Sequence, residues 1–385
     1  MVSKLPQPLS VLVTGGLGFL GARLVRELLL LRAPDGNGHL VRLVRAMDLD
    51  VHCARKALSD LNEDEWCRVD LCQGDVRDPT SVHEACRGMD AVIHCAALID
   101  VWGQESDEKI YSVNVEGTRL LLKYSILEGA RVFVFTSSVE VTGPNSRGDP
   151  IYDGDEETQY EPDLKFPYSR SKAEAEKLVL AANGCPLSPR PGFQQHELTA
   201  LVLRPMYIYG EDSRFLLYHM KKAVANKNVI IRSSLPTAIV NPIYVGNAAY
   251  AHALVTVRAL QAGQRAPAEV GGKFYYVSDD TPPSSYTDIN YLLLASLGFG
   301  VASHLPLPYA LLYLYAAWLE LCALLLRPFF RYVPPLNRQL LVMLNTHFTF
   351  RYKRVQDAFG YKPRFSWEES RTRTTAWLDK QLMSM

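Results

Sequence analysis

From Ser10 the chain reads SVLVTGGLGFLGARLVRELLLL, a short β-rich apolar run, a glycine-bearing turn, and then apolar residues at helical spacing. The pattern predicts a strand, a tight turn and a helix. The next apolar run, His39 to Val44, predicts a second strand. Others follow at RVDLCQGDV (residues 68–76), at DAVIHCAA from Asp90, at RVFVFTSS from Arg131 and at LTALVLRP from Leu198. Between them lie helical stretches such as VNVEGTRLLLKYSILEG from Val113. Buried strands that alternate with helices predict an α/β fold with a doubly wound parallel sheet. Towards the C-terminus the pattern changes: PYALLYLYAAWLELCALLLRPFF, Pro308 to Phe330, predicts one long helix with Glu320 as its only acid. The tail then reads as a short helix, a loop at Gly360 and a last helix capped by Ser366, with Glu369 three residues on.

Gly15, Gly18 and Gly21 recur every three residues at the first turn, a form of the dinucleotide fingerprint of Rossmann-type folds. The turn needs a residue without Cβ, the pyrophosphate needs bare backbone, and the helix that opens with Phe19 and Leu20 offers N–H groups and a positive dipole. About twenty residues on, a cofactor with a free ribose 2′-OH calls for Asp or Glu. Arg45 stands there and suits a 2′-phosphate, which leans the expectation from NAD(H) towards NADP(H); the alternative is Asp48 or Asp50 holding an unphosphorylated ribose. Asp75, with Val76 beside it, is placed to accept from the adenine amino group. Ala96, in the His94–Ala97 run, is expected beneath the cofactor, and Asn114 at the next helix. His94 reads equally well as a satisfied core histidine.

Composition narrows the field. Of 385 residues 48% are hydrophobic and 21% charged, the profile of a folded chain long enough for two domains. Acidic and basic residues balance at 41 each, so no global field draws nucleic acid, and none is expected as a partner. Seven scattered cysteines without a C-x-x-C signal neither a disulfide framework nor a zinc site, so no metal is expected. The first ten residues have no signal-peptide run.

Two Tyr-x-x-x-Lys pairs occur, Tyr168/Lys172 and Tyr218/Lys222, and four residues on a helix return to one face. Context selects the first pair. Thr136, Ser137 and Ser138 end the fifth strand, at the carboxyl edge where open α/β sheets bind ligands, and PYSRSKAEAEKLVLAAN starts a helix with a proline.

These residues resemble the extended short-chain dehydrogenase/reductases: the glycine pattern, TSS, YSRSK and LRPMYIYG share their layout. The later NPIYVGNAAYAHAL, FYYVSDDTP, LLRPFF and SWEES resemble the 3β-hydroxysteroid dehydrogenase/Δ5-4-isomerase branch, over Val11 to Leu378. The resemblance implies that Tyr168 exchanges a proton with a steroid alcohol or ketone while hydride passes between C3 and a nicotinamide cofactor. An ammonium one turn away, Lys172, is expected to favour the phenolate and to hold the nicotinamide ribose. Ser138 would bond the substrate oxygen, and Thr136 would lie nearer the cofactor. Pro205, Met206, Tyr207 and Ile208 would line the nicotinamide end, with residues 214–228 as part of a lid. Asp279 and Asp280 match the segment where the branch is thought to place the acid or base of isomerisation; the alternative is a turn capped by two aspartates before Pro282.

The expected organisation is a dinucleotide-binding domain over 1–204, to which 236–256 return, and a smaller C-terminal substrate portion from 205–235 and 257–303. An apolar membrane-associated segment, 304–330, and a helical tail, 331–385, complete it. About eighteen apolar positions are just enough to cross a bilayer, but Tyr309, Tyr313 and Glu320 share one stripe, which suits a helix lying in the interface. Arg327, Arg331 and Arg338 could then meet lipid head groups. The implied partners are a steroid substrate, membrane lipid and a second copy of the chain in a homodimer. The implied location is the endoplasmic reticulum membrane, active domain towards the cytoplasm, or a mitochondrial membrane. Rival readings are a nucleotide-sugar epimerase, a sterol 4-carboxylate decarboxylating dehydrogenase, or a cofactor-sensing protein without catalysis.

Overall fold

The structure is a computed structural model that describes residues 8–32, 38–100, 104–189, 196–326, 329–330 and 332–385. Arg327 and Arg331 fall outside the described residues. Its centre is a seven-stranded parallel sheet of β1 (Leu9–Thr14), β2 (Val41–Asp48), β3 (Val69–Gln73), β4 (Ala91–His94), β5 (Val132–Thr136), β6 (Thr199–Pro205) and β7 (Phe274–Val277), in the order β7-β6-β5-β4-β1-β2-β3. The order reverses between β1 and β4, and the crevice at such a reversal is where doubly wound folds bind dinucleotides.

Every residue of β1 and β5 is buried, as the apolar runs require of strands covered on both faces. One face carries α1 (Phe19–Leu30), which packs on α6 (Val245–Ala262) in one apolar core. The other face carries α2 (Pro79–Cys86), α3 (Gly117–Leu127) and α4 (Pro167–Ala181) in a second core. Of the segment 236–256, the part from Val245 belongs to α6, which extends to Ala262.

Two strands differ from expectation. β2 continues through Arg45 to Asp48 because the guanidinium is neutralised inside the sheet, Nε donating to Asp70 Oδ2 on β3 at 2.7 Å. Phe274–Val277, within the segment assigned to the substrate side, pairs with β6 as the seventh strand, in register from Phe274↔Val202 to Val277↔Pro205.

Beyond the sheet, α5 (Arg214–Ala225), α7 (Tyr286–Leu294) and α10 (Trp367–Met383) share a third core of Leu216, Met220, Ile289, Leu293 and Leu378. α10 begins with the expected capping box of Ser366 and Glu369. The apolar run forms α8 (Tyr309–Leu326), which contacts α9 (Arg338–Asn345). Leu312, Ala316 and Leu319 of α8 are buried, while Leu311, Leu314, Tyr315, Trp318, Leu321 and Leu325 are exposed. Glu320 is paired with Arg338, whose Nε lies 2.8 Å from Oε2.

Candidate active site

The glycine turn is built by close approach. Gly15 adopts φ +65°, and a Cβ there would stand 3.0 Å from the Ala96 backbone across the crevice. A Cβ on Gly21 would stand 1.9 Å from the Gly15 carbonyl oxygen, so α1 can sit this close to the turn only with glycine. Gly16, which the three-residue spacing passed over, meets Ala46 at 2.9 Å in the same way. Gly18 is exposed and caps α1 without a side-chain hydrogen bond, which leaves the first-turn N–H groups of Phe19 and Leu20 to an outside acceptor. At the end of β2, Asp48 Oδ2 accepts the Leu17 N–H at 3.0 Å and so sits against this turn. These residues fit a dinucleotide.

Arg45 does not. Its Nη1 donates to the carbonyls of Glu84, Ala85 and Arg87 at 3.0–3.1 Å, capping the C-terminal end of α2. Asp75 lies just past β3, and Arg77, donating from Nε at 3.0 Å, holds its carboxyl below the usual range. Val76 is buried against Gly117. Asn114 is 2% exposed and fully engaged: Oδ1 accepts from the Leu98 N–H, and Nδ2 donates to the Leu98 carbonyl and Ser171 Oγ. It ties the loop after β4 to α4 rather than presenting its amide to a ligand. Pro205 closes β6, and Ile208 forms a short parallel pairing with Ile243. His94 is core: its ring lies between Thr14 and Thr118 hydroxyls at 2.7 and 3.0 Å, and burial lowers its pKa to about 3.

α4 carries the first Tyr-x-x-x-Lys to the carboxyl edge of β5, with Pro167 at its first position. Lys172 Nζ donates to the Thr136 carbonyl at 2.5 Å and lies 4.1 Å from the Phe135 ring centroid. Burial lowers its pKa to about 7, opposed by Cys95 and Glu176. Tyr168 is buried, with the Ser138 side chain close enough to act on its phenol. Burial first, and then the charge of Glu140, push its phenol well up, against the effect of Ser138. Burial thus favours the neutral phenol, against the phenolate that a neighbouring cation would favour.

Thr136 contributes its carbonyl, not its hydroxyl, which bonds His252 Nε2 at 3.0 Å and Cys95 Sγ at 3.1 Å. Ser137 Oγ donates to Glu176, which pairs with Arg204, so α4 is bolted to β5 and β6 beside the site. The two aspartates are engaged elsewhere. Asp279, 7% exposed, accepts the Tyr244 N–H, Asn247 Nδ2 and the Thr281 N–H at 2.8–2.9 Å, and Asp280 accepts the Tyr352 hydroxyl at 3.0 Å. Asp279 thus ties its turn to Tyr244 and Asn247, and Asp280 ties it to Tyr352. Tyr218 and Lys222 lie on α5, the tyrosine half exposed, and form no site with Ser138.

Glu140 is the residue the sequence reading missed. Its N–H is capped by Ser138 Oγ at 3.2 Å, and its Oε2 accepts from Ser169 Oγ of α4 at 3.1 Å. Burial raises its carboxyl to about 7. Its charge acts on two phenols, Tyr168 of α4 and Tyr286 of α7. With Phe166, Ser169, Gln339 and Met343 it lines a cavity between α4 and α9. The available signal was a lone acid in an otherwise uncharged run, TSSVEV, just past the strand end.

A parallel sheet with a glycine-lined crevice and a Ser–Tyr–Lys cluster at its carboxyl edge defines the extended short-chain dehydrogenase/reductase class. Within it, residues 12–309 match the model of the 3-beta hydroxysteroid dehydrogenase/isomerase family, and the chain belongs to that family. Similar solved structures include the dTDP-glucose 4,6-dehydratase DesIV of Streptomyces venezuelae with NAD bound, at 22% identity, TM-score 0.68 and 97% and 98% of the two chains covered. A UDP-galactose 4-epimerase matches at 18% identity and TM-score 0.62, covering 97% and 99%. A short-chain dehydrogenase/reductase superfamily protein of Agrobacterium tumefaciens with bound NAD matches at 18% and 0.61, covering 97% and 98%.

Proposed function

We propose that this protein oxidises a 3β-hydroxy-5-ene steroid, or reduces a 3-ketosteroid, with NAD(H) at the crevice between β1 and β4. The observation that carries the reading is that Tyr168 is buried with Ser138 as a neighbour of its phenol, on a helix whose lysine is anchored on the Thr136 carbonyl at the strand edge. The cofactor, when bound, takes or supplies the hydride. Tyr168 Oη gives its proton to the developing C3 alkoxide in reduction and takes it back in oxidation, while Ser138 Oγ orients the same oxygen. Lys172 places a positive charge behind the phenol and is available to the ribose hydroxyls. Its pKa near 7 means that its charge titrates within the working range.

Asp48 supports NAD over NADP, because a carboxylate beside the glycine turn accepts from ribose hydroxyls and repels a 2′-phosphate. The exposed apolar face of α8 suits a chain that draws an apolar substrate from lipid.

The test is a panel of 3β-hydroxy-5-ene and 3-ketosteroids with UDP-galactose and dTDP-glucose as the contrasting arm, each with NAD and NADP, in a membrane mimic. Turnover of a steroid with NAD is expected, and Tyr168→Phe should lower kcat about 1,000-fold while cofactor still binds. Turnover of the sugar nucleotides alone, or of nothing while cofactor binds, would overturn the proposal in favour of an epimerase or a non-catalytic sensor.

A further inference from the structure

We infer that His252 of α6 is a positioning residue of the site: it holds Thr136, the strand-end residue on which Lys172 is anchored, and so sets where the ammonium stands behind Tyr168 and towards the cofactor ribose. The inference rests on the Tyr–Lys reading of the site but not on a steroid as substrate. Thr136 is the last residue of β5, and the ladder with β4 stops one pair short of it, at His94↔Phe135. On that side its tie is therefore not a strand pairing. Its carbonyl and its hydroxyl reach instead to two helices on opposite faces of the sheet. The carbonyl accepts from Lys172 Nζ of α4 at 2.5 Å, and the hydroxyl meets His252 Nε2 of α6 at 3.0 Å.

The hydrogen-bond directions close on one arrangement. The Ala248 carbonyl, 2.7 Å from His252 Nδ1, can only accept, so Nδ1 carries the proton. Burial lowers the imidazole pKa to about 4, which leaves Nε2 a bare acceptor near neutral pH. The Thr136 hydroxyl therefore donates to Nε2, and its oxygen is left to accept the Cys95 S–H at 3.1 Å. Cys95 keeps that proton because burial pushes its thiol up to about 11. His252 is fully buried, so a turn of Thr136 to another rotamer would leave Nε2 without a donor and Cys95 without an acceptor. The cluster thus resists rotation of the residue whose carbonyl receives the lysine. His252 acts on the reacting atoms only through Thr136 and Lys172.

The test compares His252→Phe, which keeps a ring and removes the acceptor, with His252→Gln, whose amide oxygen can still accept, and with Thr136→Val, alone and combined with His252→Phe. NADH affinity is read by fluorescence titration, and kcat and KM with a 3β-hydroxy-5-ene steroid. His252→Phe and Thr136→Val are each expected to weaken NADH binding about fivefold and to lower kcat about tenfold, with steroid KM within about twofold. The double variant should lose no more than about twofold beyond either single one, because both remove the same bond, and His252→Gln should stay within about threefold of wild type. Unchanged NADH affinity in His252→Phe, or losses that multiply in the double variant, would assign the histidine to core packing and overturn the inference. Should His252→Phe fail to fold, Thr136→Val decides: wild-type NADH affinity there overturns the inference as well. A wild-type chain that binds NADH but turns over no steroid overturns the steroid reading and leaves this inference to be decided by the NADH titrations.

Discussion

At the scale of single residues, the site turns on charges that burial opposes. Lys172 has a folded pKa of about 7 against 10.5 for a free lysine. Between these values the native state binds fewer protons than the unfolded one, so this group makes stability rise with pH across that window, and its full penalty applies below about pH 7. Lys172→Met should therefore be more stable than wild type at pH 6, by on the order of 2 kcal/mol, and the gap should close by pH 10. Paired denaturant titrations at the two pH values measure this, and a gap that does not depend on pH would contradict it. Cofactor choice is the second residue-scale matter. Asp48→Ala should lower the NAD:NADP ratio in kcat/KM about tenfold, whereas Arg45→Ala should leave it unchanged, because Arg45 is spent on Asp70 and the end of α2. The sequence showed which residue types were near the site but not where they aim. Thr136 and Ser138 look alike in TSS, yet the Thr136 hydroxyl is taken by His252, 116 positions away. Such a partner leaves no local trace.

At the scale of elements, legibility followed how local the cause was. The Gly15–Gly21 turn, the proline start of α4 and the capping box of α10 are each written within a few residues and appeared where expected. β2 was drawn too short because Arg45 reads as a strand end until its partner on β3 is known. β7 was missed as a sheet member because four residues carry little periodicity and its place is decided by pairing with β6. The turn supplies a prediction of the same kind. Gly21→Ala would push Cβ to 1.9 Å from the Gly15 carbonyl, backbone against backbone, while Gly18→Ala meets the same oxygen at 3.2 Å. The first should cost about 2–4 kcal/mol and weaken NADH binding more than tenfold; the second should cost under about 1 kcal/mol. Thermal melts with and without NADH separate the two, and equal effects would show that α1 can shift away from the turn.

For the whole molecule, the decisive feature is where the apolar surface lies. The family match ends at Tyr309, the first residue of α8. This helix rests on the protein by the stripe that holds Leu312, Ala316 and Leu319, with Glu320 neutralised by Arg338, and turns Leu314, Trp318 and Leu321 outward. Only 17% of the helix is buried, a large apolar face for a single chain to expose, and a cavity-lining pair, Gln339 and Met343, sits on the neighbouring α9. A lipid surface against α8 would cover the leucines and bring an apolar substrate to the cavity wall. Acidic and basic residues balance at 41 each, so attachment should rest on apolar insertion rather than on attraction to anionic head groups. The expected result in vesicle flotation is binding to zwitterionic phosphatidylcholine that survives 0.5 M salt. Changing Leu314, Trp318 and Leu321 together to Gln should lower it by at least about tenfold, with steroid turnover in detergent retained. Binding that needs anionic lipid, or a wild-type chain that stays free of vesicles and elutes as a dimer without detergent, would mean that another copy of the protein, not a membrane, covers this face.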